Sequence, residues 1–137
     1  MRDNMMGVNV SVIILGNDNT FLLIKRAADE EVFPGYWGIP GGTVEKDDER
    51  LEAALERECM EEVGIEITDL KPLTNDIVVR GEKCVLYVVY TAKLYRGEPM
   101  AKDGTALVAW KDIDEALSLQ LTPKTGDLLL KANKERR

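Results

Sequence analysis

The stretch GGTVEKDDERLEAALERECMEEVGIEI, residues 41–67, gathers carboxylates on one side of a predicted helix. At about 100° per residue, Glu58, Glu61 and Glu62 fall within roughly one third of the helix circumference. Like charges three or four positions apart each cost an isolated helix about 0.2 to 0.5 kcal/mol. No lysine or arginine follows them until Lys71. The cluster is therefore unfavourable unless something neutralises it.

Two explanations of this acidic face can be compared. A solvated helix face is the ordinary one, but such a face usually interleaves cations with its carboxylates. Here Glu58 is followed four residues later by Glu62, and Glu62 by Glu66. Oxygen ligands without histidine suit Mg2+ or Mn2+, ions that hold a few carboxylates, several waters and substrate phosphates. The pattern favours a divalent cation site that assists attack of water on a phosphate, with carboxylates as ligands and general base.

The composition of the 137 residues restricts the chemistry further. Histidine is absent, which excludes Ser-His-Asp and Cys-His catalysis and HExxH zinc sites. Cys59 and Cys84 lack a CxxC spacing, so buried thiols are expected rather than a disulfide framework or a zinc ribbon. A formal net charge of −7 argues against binding to nucleic acid polymers.

The length and the 45% hydrophobic content predict one compact domain over residues 1–137. No segment approaches the roughly 18 apolar residues of a membrane span, so we expect a cytoplasmic protein without membrane contact. The strand around Tyr87 and Tyr90 could line a pocket or form the interface of a homodimer.

Apolar and β-branched runs predict strands on both sides of the acidic helix. Residues 9–15 and 20–25 are separated by Gly-Asn-Asp-Asn, which is typical of a hairpin. Residues 26–42 are rich in glycine and proline and predict an irregular loop. Further strands are predicted over residues 76–80, 84–94 and 105–110, with a turn at Gly81 between the first two.

Three helices are predicted, and their limits come from capping residues. The acidic helix is expected to begin at about Asp48 or Glu49 and to end at Val63, with Gly64 as a left-handed cap. Asp112 is expected to cap a short helix through Leu117, and Thr122-Pro123 to begin a last helix reaching about Ala132. Together these elements predict an α/β fold in which a mixed β-sheet lies between helices, an α/β/α arrangement.

Residues beside the carboxylates could complete the site. Glycine at 41 and 42 permits close approach, so a loop carbonyl could face the same cation from outside the helix. Arg57 could orient Glu58 through forked hydrogen bonds, or could form a surface ion pair of little energetic value.

The stretch resembles the Nudix box of the Nudix hydrolases, commonly written G-x5-E-x7-R-E-U-x-E-E-x-G-U with U a bulky aliphatic residue. Six residues rather than five separate Gly42 from Glu49, and Cys59 stands where an aliphatic residue is usual. The extra residue falls before the helix, so we expect it to lengthen a loop without rotating the carboxylates. The matching positions are Glu49, Arg57, Glu58, Glu61, Glu62 and Gly64.

The resemblance extends beyond the box. Residues 24–42, IKRAADEEVFPGYWGIPGG, look like the segment that precedes the box in MutT-like members. Residues 97–104, GEPMAKDG, resemble a downstream segment in which an acidic residue adds a metal ligand, and Asp103 stands at that position. The resemblance therefore covers most of the chain.

The family resemblance implies a role for each matching residue. Glu49 and Arg57 would support and orient the ligands. Glu58 is the first candidate for the general base and Asp103 the second. Arg26 would contact the substrate or be a charge at a strand end, and Tyr36 would stack on a base or pack in the loop. The implied ligands of Mg2+, with Mn2+ as a substitute, are the Gly41 carbonyl, Glu58, Glu61, Glu62 and Asp103.

The implied reaction is hydrolysis of a nucleoside diphosphate linked to another moiety, and a MutT-like member would cleave a nucleoside triphosphate to monophosphate and pyrophosphate. The proline and tyrosine markers of ADP-ribose and dinucleoside polyphosphate hydrolases are replaced here by Arg80 and residues 81–83. The asparagine that MutT uses for oxidised guanine has no clear counterpart around residues 121–123. Hydrolysis of ADP-ribose or another nucleotide derivative, a non-catalytic Nudix-fold nucleotide sensor and a structural acidic module are the alternatives.

Overall fold

The computed structural model describes residues 5–136, and these form one seven-stranded sheet with three α-helices. The strands are β1 (Met5–Leu15), β2 (Phe21–Arg26), β3 (Trp37–Gly38), β4 (Gly41–Thr43), β5 (Glu66–Arg80), β6 (Lys83–Arg96) and β7 (Thr105–Lys111). The helices are α1 (Leu51–Val63), α2 (Ile113–Leu117) and α3 (Thr125–Glu135).

β1 carries apolar side chains on both of its faces. Val10, Val12 and Ile14 pack with the buried residues of α1, whereas Ile13 lies in a second cluster with residues of α2 and α3. Successive side chains of a strand point to opposite faces, so the continuous apolar run at residues 12–15 must be covered on both sides. This arrangement confirms the prediction of a sheet between helices.

The sheet is mixed, with strand order β3-β2-β1-β6-β5, while β4 pairs with β1 and β7 with β2. β1 runs parallel to β6 over eleven pairs, from Met5 opposite Lys83 to Leu15 opposite Lys93. The other pairings are antiparallel, including the predicted hairpins between β1 and β2 and between β5 and β6. Gly81, at a φ of 62°, forms the turn of the second hairpin.

The end of α1 and the start of α2 follow the prediction. In contrast, α1 begins at Leu51, two to three residues later than expected, because Arg50 at its N-cap is still extended and forms no side-chain cap. Gly64 adopts the left-handed conformation, and its N–H reaches the carbonyls of Cys59 and Met60. The Asp112 side chain accepts a hydrogen bond from the Glu115 N–H at 2.8 Å, and the Glu115 carboxylate accepts one from the Asp112 N–H at 2.9 Å. This reciprocal capping box begins α2 where it was predicted.

The last helix begins later than predicted. Lys124 and not Thr122 precedes it as the N-cap, and the Thr122 N–H donates to the Trp37 carbonyl at 2.8 Å while the Trp37 N–H donates to the Gln120 carbonyl at 2.8 Å. These bonds hold the segment extended against β3, and Lys124 then takes a left-handed conformation with φ of 69°. Helical structure begins only at Thr125.

The predicted loop 26–42 and the predicted strand 76–80 also differ from the structure. The loop contains two short strands, since β3 pairs with β2 and β4 with β1. β5 begins at Glu66, ten residues earlier than predicted, and includes Pro72 and three shifts of register. β5 lies at the edge of the sheet, where a proline does not interrupt a second neighbour.

Tyr90 is buried beneath α1, and its hydroxyl donates to the Glu52 carboxylate at 3.3 Å. It therefore belongs to the core, whereas Tyr87 stays exposed. Cys59 is buried, as expected, and Cys84 is half-buried. Within residues 5–136, none of the helices has the length and apolar character needed to cross a membrane.

Candidate active site

α1 separates its apolar and acidic residues. Ala54, Leu55, Cys59 and Val63 are fully buried against the sheet at helical spacing. The predicted acidic residues occupy the remaining surface, where Glu58 and Glu62 are half-buried and Glu61 is exposed. Packing of the apolar stripe therefore fixes the direction in which the carboxylates project.

Glu62 is held against the start of β4. The Gly41 N–H donates to Glu62 Oε1 at 3.1 Å. Glu58 lies within hydrogen-bonding reach of Glu62. Burial raises the pKa of Glu62 to about 8, the neighbouring Glu58 carboxylate adds to the rise, and the Gly41 N–H opposes it. Burial also raises the pKa of Glu58, while Arg57 lowers it.

Gly42 allows the Glu58 carboxylate to lie directly against the backbone. A Cβ at position 42 would stand 2.5 to 2.6 Å from all three atoms of the Glu58 carboxyl group, which is closer than real Cβ contacts. A side chain at position 42 would therefore displace the Glu58 carboxylate from its position. Gly41 and Gly42 together form the wall that faces the carboxylates of α1.

Arg57 uses all of its side-chain nitrogens in this cluster. Its Nε and Nη2 donate to the two Asp48 carboxylate oxygens at 3.2 and 2.9 Å, and Nη2 also donates to the Thr43 carbonyl at 3.2 Å. Its Nη1 donates to Glu58 at 3.0 Å and to both Glu61 oxygens at 3.3 Å. The guanidinium therefore supplies positive charge between the loop and the α1 carboxylates.

Arg57 forms an ion pair with Asp48 of the loop and not with Glu49. Asp48 is only 10% exposed at its side chain, and Arg57 holds the pKa of Asp48 below its usual range. Glu49 is exposed and, within residues 5–136, makes no hydrogen bond or ion pair. Both residues precede α1, which begins at Leu51, and the hydrogen bonds between Asp48 and the Glu45 backbone direct Asp48 rather than Glu49 to Arg57.

Asp103 lies in a loop that is bonded to the end of α1. The Met100 N–H donates to the Val63 carbonyl at 3.1 Å, and the Lys102 N–H donates to the Glu62 carbonyl at 3.0 Å. The Gly104 carbonyl accepts from the Ala27 N–H at 3.0 Å. Asp103 is exposed. It lies between Lys102, which is hydrogen-bonded to Glu62, and Gly104, which is hydrogen-bonded to Ala27 at the start of the 27–36 loop.

Arg26 organises the loop 27–36. Its Nε donates to the Val32 carbonyl at 2.8 Å, and its backbone N–H donates to the Tyr36 carbonyl at 2.8 Å. Its positive charge lowers the pKa of Glu62. Tyr36 packs its ring against Phe33, with centroids 5.3 Å apart. Tyr36 is thus a packed loop residue, and Phe33 is an exposed aromatic that sequence reasoning did not single out.

The donors suit a hard divalent cation in kind, since they are carboxylates without histidine or thiolate. Within residues 5–136, however, no three acidic, thiol or imidazole side chains already converge as a finished metal site. Glu58 and Glu61 are turned to Arg57 Nη1, and Glu62 to the Gly41 N–H. The cluster therefore contains the carboxylate ligands that such a cation prefers. Arg57 and the Gly41 N–H hydrogen-bond to these carboxylates in the present arrangement.

Comparison with known proteins agrees with this geometry. The model of the NUDIX domain matches residues 5–131. The chain belongs to the NUDIX domain family. The nucleoside triphosphatase NudI from Escherichia coli is 42% identical over 85 residues, which make up 56% of this chain and 60% of NudI. The matched region thus covers less than two thirds of the length of NudI.

Solved structures show the same fold. The crystal structure of the MutT NUDIX hydrolase from Burkholderia pseudomallei has a TM-score of 0.79 at 29% identity, covering 92% of this chain and 97% of that one. The solution structure of the E. coli ORF135 protein also has a TM-score of 0.79 at 29% identity, covering 96% of this chain and 91% of that one. Both neighbours confirm the predicted fold, and the first of them, a MutT NUDIX hydrolase, agrees with the predicted family.

Two open clefts of this NUDIX domain are lined by residues outside the acidic cluster. One of about 800 Å3 is lined by residues that include Lys93, Trp110 and Arg136, and none of the α1 carboxylates borders it. Arg136 donates there to the carbonyls of Thr20 at 3.2 Å and Gly16 at 3.0 Å. The arginine already ties the end of α3 to the β1–β2 turn, so the cleft is explained by packing.

Proposed function

We propose that this chain is a Mg2+-dependent pyrophosphohydrolase of nucleoside diphosphate derivatives, with a nucleoside triphosphate cleaved to monophosphate and pyrophosphate as the favoured reaction. The observation that carries the proposal is the enclosure of Glu58 and Glu62 against Gly41 and Gly42, where burial disfavours two neighbouring negative charges. A divalent cation would relieve that cost, and hydrolases of this family generally need one. Mn2+ would serve as a substitute.

The proposal gives each residue of the site a role. The Glu58, Glu61 and Glu62 carboxylates, the Gly41 carbonyl and Asp103 would bind the cation, which supplies charge stabilisation to the phosphate oxygens. Glu58 would accept the proton of the water that attacks phosphorus, while the bond to the leaving pyrophosphate breaks. Asp103 is the second candidate for this base. Arg57 would orient Glu58 and Glu61.

Substrate contacts are proposed for two residues of the neighbouring loop. Arg26, whose charge acts on Glu62, would meet substrate phosphate, and Tyr36 would border the base. NudI is named a nucleoside triphosphatase, which supports a triphosphate substrate here. We further propose a cytoplasmic location, a small-molecule nucleotide rather than a nucleic acid polymer as partner, and a homodimer.

The test is release of pyrophosphate or phosphate from a panel of nucleoside triphosphates, ADP-ribose and dinucleoside polyphosphates with Mg2+. Wild type is compared with Glu61→Gln, and with Glu56→Gln as a matched control, since Glu56 is exposed on the same helix and outside the cluster. We expect turnover that needs the cation, falls sharply in Glu61→Gln and is kept in Glu56→Gln.

Other outcomes would select an alternative. Turnover of ADP-ribose alone would change the substrate and keep the chemistry. Nucleotide binding without turnover of any compound would support a sensor. No effect of Mg2+ on folding or nucleotide affinity would leave only a structural acidic module.

A further inference from the structure

Arg57 can hold the α1 carboxylates only if its own guanidinium is fixed. A guanidinium has five N–H groups in one plane. In this structure Nη1 donates to Glu58 and Glu61. The other edge of the guanidinium, formed by Nε and Nη2, donates to the two oxygens of Asp48. The forked pair at 3.2 and 2.9 Å restricts rotation of the plane more than a single contact would.

Asp48 is held in turn by the loop before α1. Its Oδ2 accepts a hydrogen bond from the Glu45 N–H at 2.8 Å, and its own N–H donates to the Glu45 carbonyl at 2.9 Å. This turn folds residues 45–48 back, so that the 10% exposed Asp48 side chain faces Arg57. Glu45 lies near Arg57 Nη1 at 3.5 Å but is 64% exposed, so it adds little restraint.

The spacing of the box residues predicts Glu49, the neighbour of Asp48, as the acidic residue that acts with Arg57. Counted backward from Arg57, seven intervening residues lead to Glu49, whereas five residues counted forward from Gly42 lead to Asp48. The inserted residue makes these two counts disagree. Because the turn 45–48 is bonded and Glu49 is exposed ahead of the helix, the contacts favour the count from Gly42.

We propose that Asp48 is a positioning residue for the reaction: it fixes Arg57 so that Nη1 keeps Glu58 and Glu61 in place. Asp48 acts through Arg57 and does not touch the substrate. The inference rests on the proposed hydrolysis and assigns one further residue to it. Without Asp48, the plane of Arg57 is free to turn toward Glu45, and the carboxylates lose their common support.

The test is steady-state hydrolysis by Asp48→Asn, with Asp47→Asn as the matched control, since Asp47 is exposed in the same loop. Loss of a residue that supports metal ligands typically costs about 10-fold to 100-fold in activity or metal affinity. We expect kcat of Asp48→Asn to fall by that factor with KM for the nucleotide nearly unchanged, and Mn2+ affinity measured by calorimetry to weaken. Asp47→Asn keeps wild-type values.

A second set of variants tests whether Asp48 works through Arg57. In an Arg57→Gln background, Asp48→Asn is expected to cause no further loss of kcat, since the two residues act as one unit. A merely structural role would instead give losses that multiply. If Asp48→Asn does not fold, Asp48→Glu is tested in the same way, with the same expected fall in kcat at unchanged KM.

Three results would overturn the assignment. Wild-type kcat in Asp48→Asn, losses that multiply with Arg57→Gln, or a larger loss in Glu49→Gln than in Asp48→Asn would each remove the role of Asp48 while leaving hydrolysis established. A wild-type protein that hydrolyses none of the nucleotides would overturn the proposed function and the role of Asp48 together.

Discussion

Replacing Gly42 with alanine should separate the position of Glu58 from the stability of the fold. The new Cβ would lie 2.5 Å from the Glu58 carboxyl carbon, and ordinary contact begins at 3.4 Å. The carboxylate must therefore move by about 0.9 Å, and it can do so because it is the end of a flexible side chain. Gly42 does not need a left-handed φ, so alanine adds no backbone strain.

The expected effects on stability and turnover differ. The fold should lose about 0.5 to 1.5 kcal/mol, the value of one hydrogen bond, because Glu58 gives up its 3.0 Å contact with Arg57. Turnover should fall about 100-fold, since a displacement of about 1 Å can cost that factor in catalysis. Urea denaturation measures the first quantity, and nucleotide hydrolysis with Mg2+ measures the second.

Two other glycines supply the comparison. Gly41→Ala would place its Cβ against the Val10 carbonyl and within 2.8 Å of the Ser11 Cα, so β1 and β4 must separate and stability should fall by about 1 to 3 kcal/mol or more. Gly7→Ala meets only Val85 at 3.8 Å and should be neutral in both assays. A Gly42→Ala protein with wild-type turnover, or one that unfolds like Gly41→Ala, would refute this reasoning.

Three further predictions concern other parts of the molecule. Tyr90→Phe removes a buried hydroxyl that donates to Glu52, and urea denaturation should show a loss of about 0.5 to 1.5 kcal/mol; no loss would mean that the bond contributes nothing. Burial raises the pKa of the Cys59 thiol to about 12, so mass spectrometry after thiol labelling of the native protein at about pH 8 should find label on Cys84 first; equal labelling would contradict the packing of α1. Arg57 holds the pKa of Asp48 below its ordinary value of 3.8. The ion pair therefore stabilises the fold at neutral pH, and this stabilisation is lost as the pH falls through the folded-state pKa of Asp48. Denaturation of Asp48→Asn should therefore differ from wild type at pH 7 and converge with it below pH 3.8, and a constant difference would contradict the ion pair.

The sheet and α1 were predictable because their signals are local. Continuous apolar runs in β1 and β2 are typical of strands covered on both faces, and Gly64 marks the end of α1. The acidic cluster followed from helical spacing alone, and the structure places Glu58 and Glu62 together as that spacing requires.

The elements that were missed depend on distant partners. β3 and the late start of α3 both depend on hydrogen bonds between Trp37 and residues 120–122. The local sequence does not predict these bonds. The first part of β5 has a polar sequence that includes Pro72, and its Asp69 has a φ of 56°. This segment is a strand because it pairs with β6. Likewise, Glu49 and Asp48 are equally acidic in sequence, and only the turn at Glu45 distinguishes them.

The parallel pairing of β1 with β6 has a consequence for synthesis of the chain. The strand that lies in the middle of the sheet is made first, yet its partner, residues 83–93, follows more than seventy residues later. Until that partner leaves the ribosome, one edge of β1 has unpaired backbone groups and apolar side chains on both faces. Contacts between such distant segments form slowly. We therefore expect a nascent chain that ends after α1 to depend on chaperones or to aggregate, although it already contains the complete acidic cluster.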